Sequence, residues 1–106
     1  MRPSEVAEWS VYLVRCRDGT LYTGIAADVC RRIEEHRQGE GKGAKYLRGR
    51  GPLQLVLERA IGERGLALRV ERRIKKLPKA RKEALIEQKG AIEHLIAQVK
   101  QRVCDG

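Results

Sequence analysis

Five side chains in this 106-residue chain are of types that do chemistry and fall at spacings that could bring them together: Tyr12, Tyr22, Arg32, His36 and Glu71. A tyrosine hydroxyl or a histidine can exchange a proton with water. An arginine fork is shaped for a phosphate or a carboxylate. A glutamate can hold a hard divalent cation. Each also has an ordinary reading. A strand tyrosine is usually a core residue with its hydroxyl at the rim. Arg32 could pair with Glu35 or Asp28, and His36 could be a surface histidine. Glu71 could pair with Lys75 one helical turn on.

The elements that must hold these residues begin at Trp9. The run W-S-V-Y-L-V-R-C-R-D-G-T-L-Y-T-G-I-A reads as strand, tight turn, strand, with Asp18-Gly19 as the turn signal. A two-residue loop would split the apolar residues between faces. A three-residue loop, Arg17-Asp18-Gly19, with Gly19 left-handed, pairs Cys16 with Thr20, Val14 with Tyr22 and Tyr12 with Gly24. Val11, Leu13, Leu21 and Ile25 then share a core face. Tyr12 and Tyr22 share the other face beside Gly24, where a missing side chain lets a ligand or backbone approach.

Asp28 is a good N-cap for the first helix and Gly39 a good stop. Val29 and Ile33 should face the core, with Arg32 and His36 a turn apart on a second row. Cys16 and Cys30 read as small buried residues, and Cys104 as a loose terminal thiol. From Gly39 to Pro52, glycines alternate with Lys42, Lys45, Arg48 and Arg50 around Tyr46. Such a loop could follow a phosphate backbone and stack on a base, or simply connect elements with Tyr46 against the core. Leu53 to Ala60 reads as a third strand, and residues 63–77 as a second helix with Leu66, Val70, Ile74 and Leu77 as its stripe. Pro78 breaks that helix or starts the next. Residues 79–103 form a third helical run, with Gly90 as the expected point of a kink or break. The expectation is an α+β fold: a small three-stranded antiparallel sheet flanked by helices in the order β-β-α-β-α-α.

The net charge is +9 and it is regional. Residues 42–82 hold 14 Lys/Arg against 3 Asp/Glu, whereas the rest of the chain is slightly acidic. A regional excess of this size is the footprint of a polyanion partner such as DNA, with RNA as the other nucleic acid. Within it, Glu71 is the one acidic residue from Arg69 to Lys82, amid eight basic ones. The N-terminus lacks a signal-peptide run and no apolar stretch is long enough for a membrane span, so the chain is read as cytoplasmic, with no membrane partner.

Tyr12 in Ser10-Val11-Tyr12 and Tyr22-Thr23-Gly24 resemble the paired motifs of the GIY-YIG nuclease superfamily. The helix Asp28 to His36 continues the likeness, with Arg32 where that family keeps its arginine. The resemblance is nearest to the short stand-alone bacterial members (YhbQ-like) and extends to the nuclease subunit of structure-selective endonucleases. It covers residues 9–77, leaving 1–8 as a frayed N-terminus and 78–106 as a helical extension packed on the same domain. Ser10, Val11 and Thr23 depart from the family pattern at backbone and packing positions; both tyrosines and Gly24 are kept. The resemblance implies a metal-dependent endonuclease acting on DNA, with branched or single-stranded forms as candidate substrates. The alternative is a non-catalytic nucleic-acid-binding module. It implies Glu71 as ligand of a single Mg2+ (or Mn2+) and Arg32 on the scissile phosphate. Tyr12 would be the general base, helped by His36, with Tyr22 orienting water or phosphate. Gly24, Lys42, Lys45, Tyr46, Arg48, Arg50, Arg72 and Lys75 are the expected nucleic-acid contacts of a monomer or weak homodimer. The asparagine that larger members carry after the glutamate helix has no counterpart in residues 72–82.

Overall fold

The fold is a computed structural model that describes residues 8–38 and 51–105. Three strands, β1 (Trp9–Arg15), β2 (Leu21–Ala26) and β3 (Gln54–Gly62), form an antiparallel sheet in the order β2-β1-β3. The hairpin has the three-residue loop. The Cys16 amide donates to the Thr20 carbonyl at 2.8 Å and the Gly19 amide to the Cys16 carbonyl at 2.9 Å. Gly19 has φ +89°, the left-handed conformation that the loop demands. Asp18 accepts hydrogen bonds from the Thr20 amide and hydroxyl and braces the turn. Tyr12 therefore lies opposite Gly24 and Val14 opposite Tyr22.

Both faces of the sheet are covered. The odd face of the hairpin (Val11, Leu13, Leu21, Ile25) meets Ala67, Val70 and Ile74 of the helix α2 (Arg64–Lys75). The helices α3 (Lys79–Glu87) and α4 (Lys89–Asp105) add Leu85, Ile92, Leu95, Ile96 and Val99 to the same cluster. Two bidentate ion pairs fasten these helices to the sheet: Arg15 to Glu83 at 2.7 Å through both arms, and Arg59 to Glu93 at 2.5 and 2.8 Å. The even face carries a second, smaller cluster. Tyr12, Val14, Cys16 and Ala26 pack there under Val29 and Ile33 of the helix α1 (Val29–Arg37), with Leu53. Asp28 caps α1 through its side chain, which accepts from the Arg31 amide at 3.1 Å.

Two sequence expectations are corrected. Cys30 is exposed rather than buried, because Val29 and Ile33 take the inward row of α1 and the next residue round the helix turns outward. Residues 79–103 form two helices, not one, so the order is β-β-α-β-α-α-α. The break falls at Gln88, which is extended (φ −105°, ψ 114°) while its amide still closes the last turn onto the Ala84 carbonyl at 2.9 Å. Gly90 lies just beyond it, in the first turn of α4, with open space where a Cβ would be. Pro78 both follows α2 and starts α3, its carbonyl accepting from Arg81 and Lys82. The glycine-rich segment with Lys42, Lys45, Tyr46, Arg48 and Arg50, the first seven residues and the Cys104 side chain lie outside the described residues. No helix among the described residues is long and apolar enough to cross a membrane.

Candidate active site

The site grows from the pairing of Tyr12 with Gly24. β1 is the central strand and β2 an edge strand, so a side chain on β1 reaches the edge only by crossing β2. Tyr12 does this over Gly24. A Cβ on Gly24 would lie 2.5 Å from Tyr12 Oη and 2.6 Å from its ring carbon Cζ. The room left by the missing side chain is thus filled by the protein's own phenol. Tyr12 is 1% exposed and its hydroxyl oxygen lies 3.0 Å from His36 Nε2 on α1, in a buried hydrogen bond. The Tyr22 ring stands edge-on to His36, with centroids 5.6 Å apart.

Electrostatics bring in the other two residues. Burial pushes the Tyr12 hydroxyl well above the usual phenol range. The neighbouring Tyr22 and Glu71 push it further, and Arg32 opposes them through its charge and side-chain hydrogen bonding. His36 is 3% exposed, and its pKa is lowered first by burial and then by Arg32, with Glu35 acting the other way. It is therefore neutral at pH 7, and its Nδ1 is buried without a partner among the described residues. Arg32 is held by Glu35 at 3.3 Å, so the ion pair expected from sequence exists alongside its position next to Tyr12. Glu71 sits on α2, and α2 covers the opposite face of the sheet from Tyr12. The two faces meet only at the sheet's edges, and β2 is the edge that the Tyr12 side chain approaches. The Glu71 side chain is only 13% exposed and pairs with Lys75 at 3.3 Å.

Tyr12, Tyr22, Arg32 and His36 are thus neighbours in space, although they come from two strands and a helix, and the charge of Glu71 on α2 reaches Tyr12. Arg72 and Lys75 flank Glu71 on α2 and are exposed. Sequence reasoning passed over Arg69, Arg73 and Lys76 on the same helix. These line a groove with Arg72, and their i, i+4, i+7 spacing was the available signal.

Comparisons with known proteins give the family. Residues 8–84 match the GIY-YIG catalytic domain. The chain belongs to the GIY-YIG family. Among its relatives is a UPF0213 protein of Klebsiella pneumoniae, 50% identical over 92 residues, which covers 87% of this chain and 85% of the relative. The UPF0213 protein YhbQ of Salmonella typhimurium is 48% identical over 92 residues, covering 87% and 90%. The solution structure of a UPF0213 protein from Bacillus halodurans is also similar, with TM-score 0.51 and 46% identity, covering 78% of this chain and 86% of that one. Membership places the chain in a nuclease family.

Proposed function

We propose that this protein is a divalent-metal-dependent endonuclease that hydrolyses phosphodiester bonds in DNA, with branched or single-stranded forms as its substrates. The observation that carries the reading is the buried Tyr12–His36 hydrogen bond, set beside Arg32 and within electrostatic reach of Glu71. Tyr12 is too strongly protonated to serve as a free phenolate. It acts by passing a proton on. Neutral His36, with its own proton on Nδ1, accepts from the Tyr12 hydroxyl at Nε2, which turns a lone pair of Tyr12 Oη toward an attacking water. As the water gives its proton to Oη, the phenol proton moves to His36. Arg32 supplies the cationic fork for the non-bridging phosphate oxygens, where negative charge builds up.

The donor set fits a magnesium-type ion. Among the described residues no three histidine, cysteine or acidic groups gather into a metal cluster. Glu71 offers one carboxylate, mostly shielded, paired with the half-exposed side chain of Lys75. Magnesium and manganese keep most of their waters and need few protein ligands, so one carboxylate suffices. Such an ion, bound by Glu71, would supply Lewis-acid stabilisation of the leaving oxygen.

A second assignment of the base is favoured by one observation. Tyr12 is almost wholly buried while Tyr22 is half-buried, so Tyr22 could meet the water, with Tyr12 and His36 behind it. The test is cleavage of labelled flaps, forks, single strands and duplexes, in DNA and in RNA, with magnesium or with chelator. Cleavage of a DNA substrate in magnesium alone is the expected result. Tyr12→Phe should then lower the rate by about 10²–10⁴-fold, the usual range for a lost general base. A larger loss in Tyr22→Phe than in Tyr12→Phe would assign the base to Tyr22. No cleavage of any substrate, with Mg2+ or Mn2+, would leave the binding-module reading.

A further inference from the structure

Helix α2 carries a second feature that the cleavage chemistry does not use. At 3.6 residues per turn, the cations met on moving round the helix away from Glu71 are Lys75, Arg72, Lys76, Arg69 and Arg73, over an arc of roughly 160°. Arg69, Arg72 and Lys76 are exposed and Arg73 half-buried. The last four line an open groove of about 160 Å³ against Val99 of α4.

Folding does not account for this band. Cations in the last turn of a helix complement its dipole, which covers Arg72, Arg73 and Lys75 but not Arg69 in mid-helix. Like charges at i,i+3 and i,i+4 repel, so Arg69 with Arg72 and Arg73, and Lys76 with Arg72 and Arg73, weaken the isolated helix. The contrast is with the arginines of the sheet and of α1. Arg15, Arg31, Arg32, Arg37 and Arg59 each hold a carboxylate. Among the described residues none of Arg69, Arg72, Arg73 and Lys76 does, and Arg73 touches only the neutral Gln98, at 3.4 Å. Five cations on one side of a helix, four of them unneutralised, are arranged for an external anion with many charges. The band starts at the carboxylate of the candidate active site and leads away from it.

We propose that the outer face of α2 is a track for the phosphate backbone of the duplex arm next to the cut, running from Glu71 toward the α2–α4 groove. This rests on the nuclease reading above, and it says which side of the scissile bond is gripped and by what. The grip is electrostatic and independent of sequence, so this surface selects by the presence of an arm at this position rather than by base edges.

The test uses the full chain with chelator present and a labelled 20-base-pair duplex bearing a single-stranded flap. Fluorescence anisotropy measures affinity from about 20 to 200 mM salt, the range over which counterion release is steep. The variants are Arg69→Gln/Arg72→Gln/Lys76→Gln and, as a control for net charge, Arg17→Gln/Lys89→Gln/Lys100→Gln. The α2 variant should lose at least about tenfold in affinity at low salt, and its salt slope should flatten by about 2 to 3, close to one for each phosphate no longer neutralised. Arg69→Gln alone, a single change on an exposed helical turn, should flatten the slope by about 1 and guards against misfolding of the triple variant. An α2 variant that binds like the charge control overturns the proposal. So does a wild type that binds polyglutamate but no duplex, which would mark the band as a site for an acidic protein. Cleavage is read separately. Cleavage by the wild type with an unchanged slope in the α2 variant sinks the track and spares the nuclease; the reverse pattern sinks the nuclease and spares the track.

Discussion

The two faces of the sheet are built from alternate residues of the same strands, yet they serve different ends. On the odd face of β1, Val11 and Leu13 enter a large aliphatic core roofed by α2, α3 and α4. On the even face, Tyr12 and Val14 enter a small cluster roofed by α1, and the cluster borders a buried histidine with one nitrogen unpartnered among the described residues. The large core supplies the apolar burial that holds the domain together. The small one accepts a buried polar pair at some cost in stability, and in the proposed mechanism that pair is the proton path. α2 joins the two roles, with Ile74 pointing into the large core and Glu71 at its margin.

That division is broken most sharply on α2 itself. Ile74→Ala should cost about 2–5 kcal/mol of unfolding free energy, because a fully buried branched side chain leaves a cavity. Glu71→Gln, three residues away, should leave unfolding within about 0.5 kcal/mol while lowering cleavage by about a thousandfold or more, and DNA binding should persist or tighten as a negative charge leaves. Denaturant melts and single-turnover cleavage read the two effects. A Glu71→Gln protein that cleaves at the wild-type rate would remove Glu71 from the mechanism.

Gly24→Ala tests where the small face is tight. The new methyl would meet Tyr12 Oη at 2.5 Å, so the ring must move. The expected cost is about 1–3 kcal/mol in stability, as for other overpacked sites, with a further loss of cleavage as the hydroxyl leaves His36. Normal stability and cleavage in this variant would show that the Tyr12 position is not constrained by Gly24.

Acid should weaken the small face selectively. His36 has a folded pKa below its unfolded value near ~6.5, so the unfolded chain takes the proton first. Full stability is present above about pH 6.5. It declines as pH falls below that and levels off beneath the folded pKa. Cleavage should fall on the same acid limb as Nε2 becomes protonated. In His36→Asn the histidine part of the stability decline should vanish. Comparison of urea midpoints at pH 7 and pH 5 in the two proteins checks this, and equal declines would remove His36 as the acid-sensitive group.

The smallest effect concerns a flaw on the aliphatic side. Thr23 is buried and its hydroxyl has no partner among the described residues. Thr23→Val keeps the shape and removes the unsatisfied group, and should add about 1 kcal/mol of stability, or about 4 °C in Tm, with cleavage unchanged. A lower Tm would mean that the hydroxyl is satisfied in solution.

The local facts were legible in the residues alone. A strand has period two, so one turn signal and the wish to keep Val11, Leu13, Leu21 and Ile25 together were enough to settle the hairpin register and put both tyrosines on one face. Asp28 marked the start of α1, and helical spacing placed Arg32 beside His36. Periodicity says which residues share a face but not what covers it. Only the tertiary structure decided that α1 roofs the tyrosine face and buries His36 against Tyr12, and that α2 brings Glu71 to that neighbourhood from the other side. The same limit explains one of the misreadings. The filling of the Gly24 space by Tyr12 depends on how a side chain of the central strand lies across its neighbour, which local propensity does not state, whereas the exposure of Cys30 follows from the same helical period that turns Val29 and Ile33 inward, and the break falls at Gln88, two residues before Gly90.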